Sequence, residues 1–210
     1  NTTASENTAI GRSALYATTT GGNNTAVGRS ALKDNTTGQK NVAVGTFSLD
    51  ANTTGVHNTA VGHNALTANT TGTNLVAVGS QALDANTSGT HNIGIGQDAL
   101  GANSSGSNNT AVGANALDAA TTADRNTAVG RNALSTVTTG SNNVAVGVNV
   151  LNSSTASSNT GIGDAALYTN TSGENNIAMG RNALFLNTTG NENTALGTYA
   201  LDSNTTASKN

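Results

Sequence analysis

The chain has 210 residues, a formal net charge of −3, 9% charged residues, two Phe, three Tyr, and no Trp, Pro or Cys. So few bulky groups exclude an ordinary aromatic core, and the missing thiols exclude disulfides and thiolate metal sites. The weak negative charge leaves no footprint for nucleic acid, and no apolar run approaches the roughly 18 residues that span a bilayer.

A composition rich in Asn, Thr, Ala and Gly resembles that of disordered segments, whose low hydrophobicity cannot offset the entropy of ordering. Periodic placement of Val and Leu points the other way. A seventeen-residue phrase, typified by Asn24-Thr-Ala-Val-Gly-Arg-Ser-Ala-Leu-Lys-Asp-Asn-Thr-Thr-Gly-Gln-Lys40, fills nearly the whole chain. A fixed short period sets the architecture before any local reading does.

Residues 1–6 match the end of a preceding repeat. Full repeats begin at Asn7, Asn24, Asn41, Asn58, Leu75, Asn92, Asn109, Asn126, Asn143, Asn159, Asn176 and Asn193, so the twelve-repeat solenoid is assigned to residues 7–203, and 204–210 hold the end of the last repeat and, at Asn210, the start of a next one. The ninth is one residue short, between Leu151 and Asn159. That loss falls in the Asn-Thr-Thr-Gly region, as expected of a turn that absorbs length changes. Both ends cut through the pattern without the atypical caps that solenoids carry, which predicts a segment of a longer chain.

Within each repeat the fourth position is aliphatic and the ninth is Leu, while the second is Thr or a β-branched apolar residue. Alternation and β-branching predict an extended strand over positions two to four. Positions two and four share one face, read here as the buried one. The expected core is therefore Val27, Val44, Val61, Val78, Val112 and Val129 together with Leu32, Leu49, Leu66, Leu83, Leu117 and Leu134. The Ala-Leu pair at positions eight and nine predicts a second short strand or a bend. Asn-Thr-Thr-Gly is turn chemistry, with Asn bonding its own backbone and Gly accepting positive φ. Seventeen residues cannot hold the two helices of a helical repeat. The expectation is an all-β parallel solenoid, or β-roll, of stacked coils. Two large aliphatics per coil leave a lone chain underfilled, and the small residues at positions three and eight offer a smooth surface to another chain. A homotrimer about the fibre axis, or a higher homo-oligomer, is expected.

These features resemble a known family. Asn41-Val42-Ala43-Val44-Gly45, Asn92-Ile93-Gly94-Ile95-Gly96 and Asn176-Ile177-Ala178-Met179-Gly180 resemble the Val-Ala-Ile-Gly head repeats of trimeric autotransporter adhesins. The full phrase is similar to repeat regions of phage tail-fibre-like and bacterial surface proteins, which often precede a self-cleaving chaperone domain. The resemblance covers essentially the whole chain, although the adhesin repeat is usually shorter than seventeen residues. It implies a trimeric β-roll that is extracellular, on a virion or bacterial cell surface, with a surface glycan or host receptor as partner.

Candidate chemistry is sparse. His57, His63 and His91 share no close ligand spacing, and the strand spacing sets His57 and His91 roughly 10 Å apart. Asp50, Asp84, Asp118 and Asp202 share position ten but are at least two coils apart, so no carboxylate pair for acid–base work is expected. Arg12, Arg29, His63, Arg131 and Arg181 share position six, a variable and exposed column. No Gly-x-Ser-x-Gly elbow or phosphate loop occurs. The expectation is a non-enzymatic segment with no cofactor and no catalytic or metal residues. Asn35, Asn52, Asn69, Asn86, Asn103, Asn152, Asn170, Asn187 and Asn204 begin Asn-x-Ser/Thr sequons and are candidate glycosylation acceptors, although good turn chemistry also explains them. Stacked Thr columns such as Thr36, Thr53, Thr70, Thr87 and Thr37, Thr54, Thr71, Ser88 raise an alternative, an ice-binding solenoid. Adjacent residues of a strand face opposite ways, which counts against that array.

Overall fold

The computed structural model describes residues 3–210; Asn1 and Thr2, which open the repeat end expected over 1–6, lie outside the described residues. Each full repeat forms one coil with one three-residue strand, and no helix occurs among the described residues. The strands are β1 (Thr8–Ile10), β2 (Thr25–Val27), β3 (Val42–Val44), β4 (Thr59–Val61), β5 (Val76–Val78), β6 (Ile93–Ile95), β7 (Thr110–Val112), β8 (Thr127–Val129), β9 (Val144–Val146), β10 (Thr160–Ile162), β11 (Ile177–Met179) and β12 (Thr194–Leu196). They stack in chain order into one 12-stranded sheet. All pairs are parallel, and each residue meets its own counterpart in the next coil, as in Thr25↔Val42, Ala26↔Ala43 and Val27↔Val44. Coils are numbered here after their strands. The protein is a parallel β-solenoid. The Ala-Leu segment is a bend, not a second strand.

The inward face is the reverse of the expected one. Ala26, Ala43, Ala60, Ala77, Ala111 and Ala128, the third residues of their repeats, are fully buried. Their neighbours Val44 and Val129 are each 37% exposed, and Val27, Val61, Val78 and Val112 are half-buried on the outside of the sheet. The expected Val half of the core is therefore corrected, and the small-residue columns line the interior instead of an outer surface. The Leu half stands: Leu32, Leu49, Leu66, Leu83, Leu117 and Leu134 are all fully buried. The reason is the width of the coil. At Gly94 of β6 even a Cβ would lie 2.9 Å from the Ala99 carbonyl oxygen and 3.3 Å from Leu83 Cγ. In most coils one large residue, the Leu, fills the interior, and the strand opposite it has room only for Ala or Gly. Since side chains alternate with a period of two, this choice at position three turns positions two and four outward together.

The leucines reach inward through an unusual backbone. Leu15, Leu32, Leu100 and Leu151 have φ of 51°, 51°, 56° and 50°, and the other leucines of the ninth position agree. A left-handed conformation costs an L-residue about 1–2 kcal/mol, and burying a Leu side chain returns about 1.5–3 kcal/mol. The stack holds it further: Leu32 N–H donates to the Ser48 carbonyl (3.0 Å) and Leu49 N–H to the Ala65 carbonyl (2.9 Å). At position five only Gly fits. Gly45 has φ +136°, and a Cβ there would stand 2.3 Å from the Gly62 carbonyl oxygen of the next coil.

Two buried Asn ladders close the remaining side. Asn24, Asn41 and Asn58, and again Asn35, Asn52 and Asn69, are fully buried. Asn41 Oδ1 accepts the Asn58 N–H (2.9 Å), while Asn41 Nδ2 donates to the Gly55 carbonyl (2.9 Å). In the second ladder Asn52 Nδ2 donates to Asn35 Oδ1 (2.8 Å) and to the same Gly55 carbonyl (3.1 Å). The turn glycine thus receives both amides, and buried polar groups that would otherwise be costly are paired.

One exchange of volume shows how tightly the interior is matched. Val150 is fully buried at a position that is Ala in most coils, and Gly161 replaces Ala in the strand of the next coil. A Cβ on Gly161 would stand 2.5 Å from Val150 Cγ1. Gly161→Ala is expected to cost about 1–3 kcal/mol by overpacking, and much less in a Val150→Ala background. Denaturant unfolding of the four-member cycle measures the coupling; additive effects would contradict the matched volumes.

Candidate functional site

The most extended feature is the outward face of the sheet. Positions two and four of all twelve strands put two columns of side chains there. One runs Thr25, Val42, Thr59, Val76, Ile93; the other runs Val27, Val44, Val61, Val78, Ile95. Neighbouring strands lie about 4.8 Å apart, so the face runs for about 53 Å. Ile95 is 38% exposed and Met179 40%. A continuous apolar strip of several hundred Å² is the kind of patch that marks an interaction surface. Exposed polar and charged residues flank it, including Arg12, Arg29, Arg131 and Arg181 on one side and Lys40, His57, His91 and Arg125 on the other. The third position never exceeds Ala, which suits the narrower side once the coil is closed but does not by itself distinguish small-in from small-out.

The candidate glycosylation sites are elsewhere, and all but Asn152 and Asn204 are inaccessible. Asn35, Asn52, Asn69, Asn86, Asn103, Asn170 and Asn187 are fully buried. Their Nδ2 groups are spent in the ladder, as in Asn69 to Asn52 Oδ1 (2.9 Å) and Asn187 to Asn170 Oδ1 (2.9 Å). Asn204 is half-buried and makes the same bond to Asn187 Oδ1 (2.9 Å). Asn152 in the short coil bonds Ser135 Oγ (2.9 Å). A glycan on the ladder nitrogens would have to occupy the coil interior, so this fold and N-glycosylation there exclude each other. The sequons are turn chemistry.

The two turn Thr columns both lean outward, because Asn35 and Gly38 are the inward residues of that bend. The expected opposition of Thr36 and Thr37 therefore does not hold. The Thr36 hydroxyl donates to the Thr53 carbonyl (2.9 Å) and the Thr53 hydroxyl to the Thr70 carbonyl (3.0 Å), so the first column stitches coils together. Thr37, Thr54, Thr71 and Ser88 are exposed.

His57, His63 and His91 are exposed; His91 lies against Thr90 Oγ1 (3.2 Å) and Asn74 Nδ2 (3.3 Å). No group of three metal-ligating side chains, and no cavity, occurs among the described residues. Arg29 rests over the Phe47 ring (4.8 Å). Arg181 approaches both Asp164 (4.0 Å) and the Tyr199 ring (5.8 Å).

Two of the separated aspartates face one notch. Gly101 leaves a notch in the tenth column, and the position its Cβ would take is 2.9 Å from Asp118 Oδ1 and 3.7 Å from Asp84 Oδ1. Burial raises the pKa of both above the ordinary 3.8, and the Asp98 carboxylate beside them raises both further; for Asp84 the Ala85 N–H opposes this. Burial also raises Asp50, against the lowering by Lys33. Sequence spacing concealed this arrangement because the missing side chain at Gly101, not proximity in the chain, leaves both carboxylates facing the same space.

No family model, curated protein or solved structure matches the chain.

A raised carboxylate pKa means tighter proton binding in the folded chain than in the unfolded one. These aspartates therefore cost stability at neutral pH, and that cost is relieved as pH falls through their folded values toward 3.8. The melting temperature is expected to rise on acidification from pH 7 toward pH ~4. Asp118→Asn is expected to raise it at pH 7 and to flatten this dependence; a steeper dependence in the variant would contradict the assignment.

Proposed function

We propose that the chain is a non-enzymatic segment of an extracellular fibre or adhesin, whose copies associate through the outward face of the sheet. The observation that carries this reading is the length of the apolar strip: it repeats in register along every coil, so one rod docks on another as a continuous seam. Resemblance to the head repeats of trimeric autotransporter adhesins and to tail-fibre-like repeats favours three copies about one axis. In that arrangement Val44, Ile95 and Met179 meet their equivalents at the centre, while the turns carrying Thr37, Thr54 and Thr71 stay outside. The fibre would stand on a virion or bacterial surface and present, or itself provide, attachment to a surface glycan or host receptor.

Light scattering with small-angle X-ray scattering tests the reading. A mass near three times 20.6 kDa with a rod-like profile is expected. Val61→Asp combined with Val78→Asp is expected to reduce the mass to that of one chain with the far-UV circular dichroism unchanged. Leu66→Asp, by contrast, buries an unpaired carboxylate and should abolish the fold. A wild-type chain that stays monomeric would overturn self-association.

The same face favours a second reading. Thr25, Thr59, Thr110 and Thr127 stand on it beside Val27, Val61, Val112 and Val129, and these hydroxyls and methyls, interrupted at Val42, Val76 and Ile93, would order water as an ice-binding surface. Thermal hysteresis from a monomeric rod would select it over the fibre.

A further inference from the structure

The coils are joined by repeating sets of bonds, and one seam departs most from the set. Between coils 3 and 4 the turn side is fully laced. Ala51 N–H donates to the Thr67 carbonyl (3.2 Å), and Thr53 and Thr54 N–H both donate to the Thr70 carbonyl (3.0 and 3.3 Å). The Thr53 hydroxyl joins the same carbonyl (3.0 Å), and Asn69 continues the ladder to Asn52 (2.9 Å). Between coils 8 and 9 the equivalent N–H groups of Thr136, Thr138 and Thr139 donate no hydrogen bond. The Thr136 hydroxyl reaches the Asn152 and Ser154 carbonyls instead. Coil 9 is the short one, so its turn cannot follow the path of coil 8.

The second Asn ladder is also broken over coils 7 to 9, a stretch that includes this seam. Ala120 and Val137 stand where coils 2 to 6 have Asn, and both are fully buried. As a result Asn103 Oδ1 is buried without a partner. Beyond the short coil the ladder resumes weakly, with Asn170 Nδ2 at 3.5 Å from Ser154 Oγ.

The strand side of this seam is intact. Thr127 N–H donates to the Asn143 carbonyl (2.8 Å) and Gly147 N–H to the Val129 carbonyl (2.8 Å). Asn143 N–H still finds Asn126 Oδ1 (2.9 Å). Backbone bonds kept along one edge and replaced along the other by side-chain bonds from Thr136 and Asn152 make a hinge line.

We propose that the seam between coils 8 and 9 is a flexure built into the rod, which opens on its Thr turn side by pivoting on β8 and β9. Local opening follows the segments with the fewest backbone bonds, and the deficit is largest at this junction: the one before it lacks only the bond from Thr122 N–H, whereas here all three are missing. In a fibre this gives a stiff shaft one defined place to bend. The inference stands on bonds within one chain and does not depend on how many copies associate.

Native-state hydrogen exchange on the intact protein tests it through amides that are themselves bonded across the junction. Leu134, which donates to Val150, is compared with Leu66, which donates to Ala82; Ser158, which donates to Ser141, is compared with His91, which donates to Thr73. After correction for intrinsic rates, Leu134 and Ser158 are expected to exchange at least tenfold faster than their references. A second protein carries one Thr inserted between Ser154 and Thr155, with Ala120→Asn and Val137→Asn. It is expected to bring these amides to within about twofold of the references. Equal protection of the two pairs in the unaltered protein overturns the flexure whatever the repaired protein does. Light scattering reports separately on the fibre reading, so failure of one is not mistaken for failure of the other.

Discussion

The interior of this protein is as wide as one leucine facing one alanine, and the rest of the structure follows from that width. Leu66 enters from the bend and Ala60 faces it from the strand, both fully buried. A larger residue at the strand centre would collide with the opposite wall, as the distances around Gly94 indicate. Where the chain does enlarge one wall, at Val150, it empties the other, at Gly161. Close packing leaves no slack to absorb a mismatch.

A narrow interior supplies little hydrophobic burial per residue, so hydrogen bonding has to specify the coil. The paired Asn ladders do this by converging on one turn carbonyl, as Asn41 and Asn52 do on Gly55. Because each amide also meets its copy in the next coil, the ladders enforce a seventeen-residue register. Departures are informative. At Leu75 the preceding Asn58 Oδ1 still accepts the backbone N–H (3.1 Å), so a backbone donor preserves the rung. At Ala120 nothing replaces the missing side-chain amide, and Asn103 Oδ1 is left unpaired.

The same width decides where apolar surface goes. With the strand's small residue inward, its β-branched residues have nowhere to point but outward. A solenoid that fills itself with Ala, Leu and Asn must therefore display Val and Ile along its length. The proposed association rests on that display, because the β-branched residues suited to burial lie on one outward face.

The repeat period, the strand position, the turn and the parallel coil were legible in the chain, since each rests on local chemistry: β-branching at Val42 and Val44, Gly45 at the bend, and the Asn52-Thr-Thr-Gly55 turn. The inward assignment of Leu49 was legible too, because no other residue of the coil is as large and as constant. Which face of a three-residue strand is buried was not. Ala43 flanked by Val42 and Val44 reads equally well as small-in or small-out, since alternation is unchanged by reversal. Only the closed coil decided it, by setting the distance to the opposite wall. Closure also turned most apparent glycosylation sequons into buried ladder rungs and left Asp84 and Asp118 facing one notch at Gly101. Those outcomes depend on residues seventeen or more positions apart meeting through space, which no local pattern records.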